Sequence, residues 1–368
     1  GNYCERTVAR NFEKDFDYLQ FNCNAINRIT SIDENKKRYA IGYDPFFIQK
    51  SGKHTYGRES FWNGSQQKSE KGLEGNGYAL INVDQKIAYP LSVAQTPPKH
   101  EIVEALKNPD ANRMDYYVSC VKAHLDRLKG ANLQIDVKHV IADAYFANNK
   151  FISMVRKAGF HMVGKLRSDA NLRSLVFEQN EGRGRPRIYG EKVNVKDITN
   201  FAFVESVKGN NDKEKGDLYE GTFYSINLKC QIKVACLLVK HENKVSMVLM
   251  FSTDLDLSAK DIFDFYTARF QIEFVFRDGK QFAGLTEFQT RSKMKIHNHL
   301  NASFSVVLLA KIQEIEARLS SNIKVPFSMH NHKRRNYNEM LVSRIFSILG
   351  IDPSLIKLSP EIWNVVEM

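Results

Sequence analysis

The sequence predicts an α/β protein carrying an inserted β-rich block and a helical C-terminal region. Three observations carry that expectation. Short apolar runs alternate with helical periodicity across residues 37–167, strand-like runs follow one another through 168–252, and helix-period patterns dominate after Ser258.

Taken in order, residues 1–36 read as helical, with Arg6, Arg10 and Lys14 set among Phe12, Phe16, Tyr18 and Leu19, and Cys4–Phe12 looks like the second half of a helix-turn-helix. Arg38–Asp44 is a short strand ending on a carboxylate. Gly72, Gly75 and Gly77 mark a turn, after which Tyr78–Val83 and Lys86–Val93 form a hairpin around Asp84-Gln85. Ala111–Leu128 has helical periodicity and stops at Gly130. Val137–Asp143 is a second apolar strand ending on an Asp, followed by a helix over Asn148–Lys157 that stops at Gly159, and by a strand over His161–Leu166. In the β-rich block, Lys208–Asp217 is a polar loop, and Phe223–Leu228, Ile232–Val239 and Val245–Phe251 are strands. Ser258, with Asp261 three residues on, starts one long helix in a capping-box pattern. Further helices are expected over His299–Leu319 and Asn338–Leu349.

Composition narrows the function. At 368 residues the chain exceeds the ~250–300 at which single cores stop growing, so a principal domain with additions is expected. With 43% hydrophobic and 26% charged residues it is neither disordered nor low-complexity. No apolar run approaches the ~18 residues of a membrane span. The chain opens without an apolar signal-peptide core and without Met, so we expect no signal peptide and a trimmed N-terminus; the cysteine usage fits a reducing cytoplasm best. A net charge of +11 favours a polyanionic partner, nucleic acid being the usual one, over a merely basic soluble protein. Five scattered cysteines form no C-x-x-C, which points away from a disulfide framework or zinc site.

The chemistry concentrates in the helix after Ser258, where Tyr266, Arg269, Glu273 and Lys280 follow the spacing Y-x2-R-x3-E-x6-K. At ~100° per residue, the last three fall about 60°, 20° and 40° back from Tyr266, so all four share one stripe, with Arg277 beside it. Phe265, Ala268, Ile272, Val275 and Phe276 form a separate packing arc. A solvated charged face is the bland reading of such a stripe. A carboxylate flanked by cations and a phenol instead suits a metal-and-phosphate site, Glu273 ligating a cation while Arg269 and Lys280 bind phosphate oxygens.

This signature resembles that of the DDE transposases of cut-and-paste insertion sequences. Asp44, in Ile-Gly-Tyr-Asp-Pro-Phe-Phe-Ile-Gln-Lys-Ser-Gly-Lys, resembles the family's first catalytic Asp, and Asp143, in Val-Ile-Ala-Asp-Ala-Tyr-Phe, the second. Thr253-Asp254-Leu255, leading into Ser258-Ala259, and Phe276-Arg277-Asp278-Gly279-Lys280-Gln281 look like the family's third-carboxylate region. The likeness covers about residues 37–295. It implies an RNase H-like core, a mixed sheet flanked by helices, with a β-rich insertion between the second Asp and the Glu. The division implied is a partial DNA-binding region at 1–36, core at 37–167 and 253–297, insertion at 168–252, and a helical region at 298–368. It further implies two Mg²⁺ ions, replaceable by Mn²⁺, on Asp44, Asp143 and Glu273, double-stranded DNA as substrate (terminal inverted repeats and target), and a homodimer in the synaptic complex. Among competing carboxylates, Asp33 and Asp136 precede strands, and Asp278 lies about 120° from Tyr266.

Secondary signals concern DNA contact. Gly182-Arg183-Gly184-Arg185-Pro186-Arg187 contains the Arg-Gly-Arg-Pro of an AT-hook, and Arg183, Arg185 and Arg187 are expected to touch phosphates or the minor groove; a plain basic turn is the alternative. Lys50-Ser51-Gly52-Lys53 is not a P-loop, because Phe47 stands where Gly is required; Lys50 and Lys53 are expected to meet DNA near Asp44 or be solvated. The letters His-Asn-His at 297–299 and 330–332 do not share a helix face. Only 43 residues precede Asp44, fewer than an end-recognition domain usually occupies, and no Trp lies between Asp143 and Glu273. If a hairpin intermediate forms, a flipped base must stack on another ring, with Phe201, Phe203, Phe223, Tyr224 and Trp62 as candidates. A binding-only relative and an RNase H-like nuclease without strand transfer are the rival functions.

Overall fold

The computed structural model describes residues 5–30, 37–176, 187–208, 215–241, 244–321, 327–352 and 366. In the N-terminal region expected to be helical, the described residues form two helices, α1 (Glu5–Asn11) and α2 (Tyr18–Thr30). The strand expected to stop at Asp44 continues as β1 (Tyr39–Gln49), because a long partner pairs with its whole length. β2 (Glu59–Asn63) precedes that partner, β3 (Lys68–Asn82), and β4 (Ile87–Gln95) closes the expected hairpin. The glycines at 72, 75 and 77 therefore lie inside β3 and mark no turn. They are small because rings press on the strand: a Cβ at Gly72 would meet Phe47 at 2.5 Å, at Gly75 Phe46 at 2.6 Å, and at Gly77 Phe276 at 2.5 Å.

α3 (Lys99–Leu106), which sequence periodicity did not reveal, leads into α4 (Arg113–Gly130), capped by a reciprocal Asn112–Asp115 box. β5 is only three residues (His139–Ile141). α5 (Asn149–Lys157) and β6 (His161–Lys165) follow, the helix released by Gly159 at φ +83. Next come the short strands β7 (Leu172–Arg173) and β8 (Lys192–Val193), then β9 (Ala202–Lys208), β10 (Lys215–Ser225), β11 (Cys230–His241) and β12 (Lys244–Ser252). Of the loop expected over 208–217, Lys208 ends β9 and Lys215–Asp217 begin β10, while 209–214 lie outside the described residues; the expected strand at 223–228 starts earlier and turns after Ser225. The single long helix is instead two, α6 (Ala259–Ala268) and α7 (Phe270–Phe282), followed by α8 (Lys293–Ser321) and α9 (Met329–Ile348).

β4, β3, β1, β5 and β6 lie side by side in that order, with β1–β5 and β5–β6 parallel and the others antiparallel. This is an RNase H-like mixed sheet. β12 pairs with β6 through Met250–Ser252 and Val163–Lys165, so β7–β12 extend the same sheet. One face packs on α2, α4 and α5 through Leu19, Ile26, Val121, Leu125, Phe151 and Val155. The other packs on α6 and α7 through Ile262, Phe265, Ile272, Val275 and Phe276. α8 serves both, giving Leu300 and Phe304 to the second core and Leu308 and Ile312 to the first. Among the described residues no helix is long and apolar enough to cross a membrane.

Ser258 caps α6 as expected, its Oγ accepting from the Asp261 amide at 3.0 Å and donating to the Asp261 carboxylate at 2.6 Å. Arg38, just before β1, ties this helix to the sheet: it pairs with Asp84 in the β3–β4 turn, and with Asp261 and Asp264 on α6. Gly77 sets the distance between sheet and α7. A Gly77→Val change should push Phe276 away and destabilise the protein by about 1–3 kcal/mol in urea unfolding, against well under 1 kcal/mol for the same change at the uncrowded Gly64.

Candidate active site

The offset that pairs Ala40 with His139 and Gly42 with Ile141 also relates Asp44 to Asp143. Each stands two residues beyond the last paired position, so the parallel register sets them side by side where β5 has ended. Parity decides the face: Ala40, Phe46 and Ile48 in β1 and Ile141 in β5 all pack toward α6 and α7, and Asp44 and Asp143 share that side. Asp143 caps a short 3-10 turn, Ala144–Phe146, accepting from the Ala144 amide at 2.7 Å.

Opposite them, the helix changes step at Arg269. Its amide reaches back only to Tyr266, at 3.2 Å, and the Ile272 amide donates to its carbonyl at 3.0 Å, so the junction of α6 and α7 is wound as a 3-10 turn. The four signature residues nevertheless face the sheet. Arg269 is 8% exposed and bridges the carboxylates, one Nη 3.4 Å from Asp44 and the other 2.9 Å from Glu273. Tyr266 and Phe270 flank its guanidinium, 5.9 and 5.4 Å from the ring centres. Lys280 donates to the Phe47 carbonyl of β1 at 3.2 Å, and burial lowers its pKa.

Burial pushes the Asp44 carboxyl up to about 7; Arg269 works against that rise, while Asp143 and Glu273 add to it. Three carboxylates without His or Cys are hard oxygen donors, a set that fits Mg²⁺ or Mn²⁺. Among the described residues, however, no three acidic, His or Cys side chains close around one point, since Arg269 stands between Asp44 and Glu273.

A cleft of about 1120 Å³ opens beside this cluster. Asp143, Tyr266, Arg269 and Phe270 form one wall, and Lys165, Arg167, Lys196, Val245 and Met247 contribute to the others. Phe270, Lys165, Arg167 and Lys196 escaped the sequence reading. Phe270 could have been noticed, because it falls about 40° from Tyr266 and so off the apolar arc; it is 51% exposed. Lys165 and Arg167 are near neighbours at the end of β6, whereas Lys196 joins them from a distant segment, a meeting that no spacing reveals.

Other expected residues lie elsewhere. Lys50 donates to the Thr286 and Phe288 carbonyls at 2.8 and 2.7 Å and sits over the Phe288 ring, anchoring the loop after α7. Lys53 is exposed in the following turn. Arg277 covers Phe274 and pairs with the buried Asp278 at 3.0 Å. Arg183 and Arg185 lie outside the described residues, and Arg187 is exposed. Of the stacking candidates, Phe201 and Phe223 are buried against each other, Tyr224 stacks on Tyr189, Phe203 meets Tyr219 edge-on, and Trp62 is exposed on β2; none of the five lines the cleft.

An RNase H-like sheet with two aspartates in register defines a scaffold for phosphoryl transfer in nucleic acids. The chain belongs to the transposase DDE domain family, which it matches over residues 115–309, more than half its length; the match includes Asp143 and Glu273 and begins after Asp44. Among curated proteins, none matches it. The family brings DNA binding, nuclease and transesterification chemistry, and a general use of divalent cations.

The raised Asp44 pKa has a consequence for the metal-free protein. Its folded state holds a proton that the unfolded chain releases near pH 4, so the favourable contribution present below pH 4 is lost as pH rises through about 7. Asp44→Asn removes this dependence. Its stability gain over wild type should grow between pH 4 and 7, reach about 4 kcal/mol and stay level above, read by urea unfolding across pH in EDTA.

Proposed function

We propose that this chain is a cut-and-paste transposase of the insertion-sequence class, cleaving DNA at element ends and joining the freed 3′ ends to target DNA. The observation that carries the reading is the register match of Asp44 and Asp143 on the face that also receives Glu273, in a member of the DDE family. Asp44, Asp143 and Glu273 would hold two divalent ions, Mg²⁺ or Mn²⁺, which supply Lewis-acid activation of the attacking oxygen and charge stabilisation at the leaving 3′-oxygen. Arg269, Lys280 and Tyr266 then bind and orient the scissile phosphate, Arg277 a neighbouring one, and the cleft's Lys165, Arg167 and Lys196 receive the displaced strand. Phe270 offers the exposed ring on which an extruded base could stack. Lys53 and the Arg183, Arg185 and Arg187 turn contact flanking phosphates.

In this reading residues 1–36 belong to end recognition, 37–167 and 253–297 to the catalytic core, 168–252 to the insertion and 298–368 to a helical region. Two copies bring two element ends together in the cytoplasm. A strand-transfer assay with target DNA separates the transposase from a nuclease that only cuts.

Asp44→Ala, Asp143→Ala and Glu273→Ala should each abolish Mg²⁺-dependent cleavage of the inverted repeats that flank the gene, while duplex affinity in gel shifts changes little. Metal ligands act in the transition state, whereas affinity comes mostly from phosphate contacts. Near-normal cleavage by any one variant would remove that residue from the site.

Neutralising Arg183, Arg185 and Arg187 together should weaken end binding and flatten its salt dependence, by about 0.9 in the log–log slope for each phosphate no longer neutralised. A slope equal to wild type would put the turn in solvent.

A further inference from the structure

Arg269 occupies a place that cation binding would require it to leave. Its two Nη groups are engaged by Asp44 and Glu273, at 3.4 and 2.9 Å, and the side chain is almost wholly buried. Its Nε is sealed from solvent and makes no hydrogen bond among the described residues. A guanidinium binds phosphate best through two parallel N–H groups, so an edge that includes an unpaired Nε–H is incompletely used. The same side chain lines the cleft, where Lys165, Arg167 and Lys196 make the surroundings attractive to a polyanion. A phosphate there can offer Arg269 the full fork that the two carboxylates do not.

We propose that Arg269 is a counter-ion latch: without DNA it neutralises Asp44 and Glu273 and keeps divalent cations out, and a DNA phosphate in the cleft draws it away and opens the carboxylates. Cation binding then follows DNA binding. The inference rests on the reading of Asp44, Asp143 and Glu273 as the cation site, and adds the order in which that site is filled. The physical reason is competition between like charges. A guanidinium and a divalent ion compete for the same carboxylates, Asp44 and Glu273, whose side chains are 20% and 41% exposed, so whatever removes the first favours the second. The coupling is reciprocal: cations must tighten DNA binding by the factor by which DNA tightens cation binding. The 3-10 step at Arg269 and the flanking Tyr266 and Phe270 rings give the side chain a pivot and a surface to slide along. Lys280 cannot play this part, because it is held on the Phe47 carbonyl.

The test is Mn²⁺ binding to the full chain, followed by calorimetry and by the electron paramagnetic resonance of free Mn²⁺, with no catalysis read. Without DNA, Arg269→Gln should bind Mn²⁺ about tenfold more tightly than wild type, and Arg269→Lys, which keeps the charge but not the fork, should fall between. A mixed-sequence duplex at low salt should tighten Mn²⁺ binding to wild type by a similar factor and leave Arg269→Gln unchanged. Equal affinities for wild type and Arg269→Gln, or a wild-type affinity indifferent to duplex, overturn the latch; the duplex comparison on wild type stands even if the Gln variant does not fold. Asp143→Asn in the Arg269→Gln background separates the two levels of inference. Loss of Mn²⁺ binding there supports the carboxylate site, whereas undiminished binding places the ion elsewhere and overturns that reading together with the latch.

Discussion

Two carboxylates set side by side in a low-dielectric corner repel each other, and that repulsion is the constraint around which this fold is arranged. The parallel pairing of β1 with β5 fixes Asp44 next to Asp143, and Glu273 is brought against the same spot from α7. Burial above all, with the repulsion of Asp143 and Glu273 added to it, raises the Asp44 pKa and favours a proton over the charge. One buried guanidinium reduces the cost without abolishing it. The acidic cluster is therefore only partly neutralised, and its remaining charge is directed toward a cleft with basic walls.

Keeping that arrangement in place falls to groups that touch no substrate. Arg38 grips three carboxylates from two elements and fixes where α6 begins relative to β1. Gly77, directly opposite Asp44 in the β1–β3 pairing, lets Phe276 lie against the sheet and sets how closely α7 approaches. Lys50 fastens the loop that follows α7 to the end of β1. The helix pair is thus held at its start, middle and end, leaving the Arg269 junction as the place where its winding changes.

Residues whose environment is set by neighbours in the chain were legible in the sequence. The Ser258 cap, the Gly159 stop, the β3–β4 hairpin and the spacing from Tyr266 to Lys280 are all local patterns, and each has its counterpart in the structure. What depended on distant partners was not. β1 runs past Asp44 because β3 accompanies it, and the β3 glycines look like a turn until Phe46, Phe47 and Phe276 are seen pressing on them. Helical periodicity is nearly blind to a one-residue change of winding, so the break at Arg269 passed unnoticed while the faces stayed right. Lys50 shows another kind of partner that spacing hides: the Thr286 and Phe288 carbonyls and the Phe288 ring engage its ammonium.

The pairing of β12 with β6 has a mechanical side. The cleft residues Lys165 of β6, Leu238 of β11 and Val245 and Met247 of β12 stand on adjoining strands of one hydrogen-bonded sheet. Moving those strands apart would mean bending or unzipping that sheet, which is stiff compared with side chains and with unstacked nucleic acid. The work of fitting accordingly falls on the polynucleotide, and sequences that kink or unpair cheaply enter at a discount.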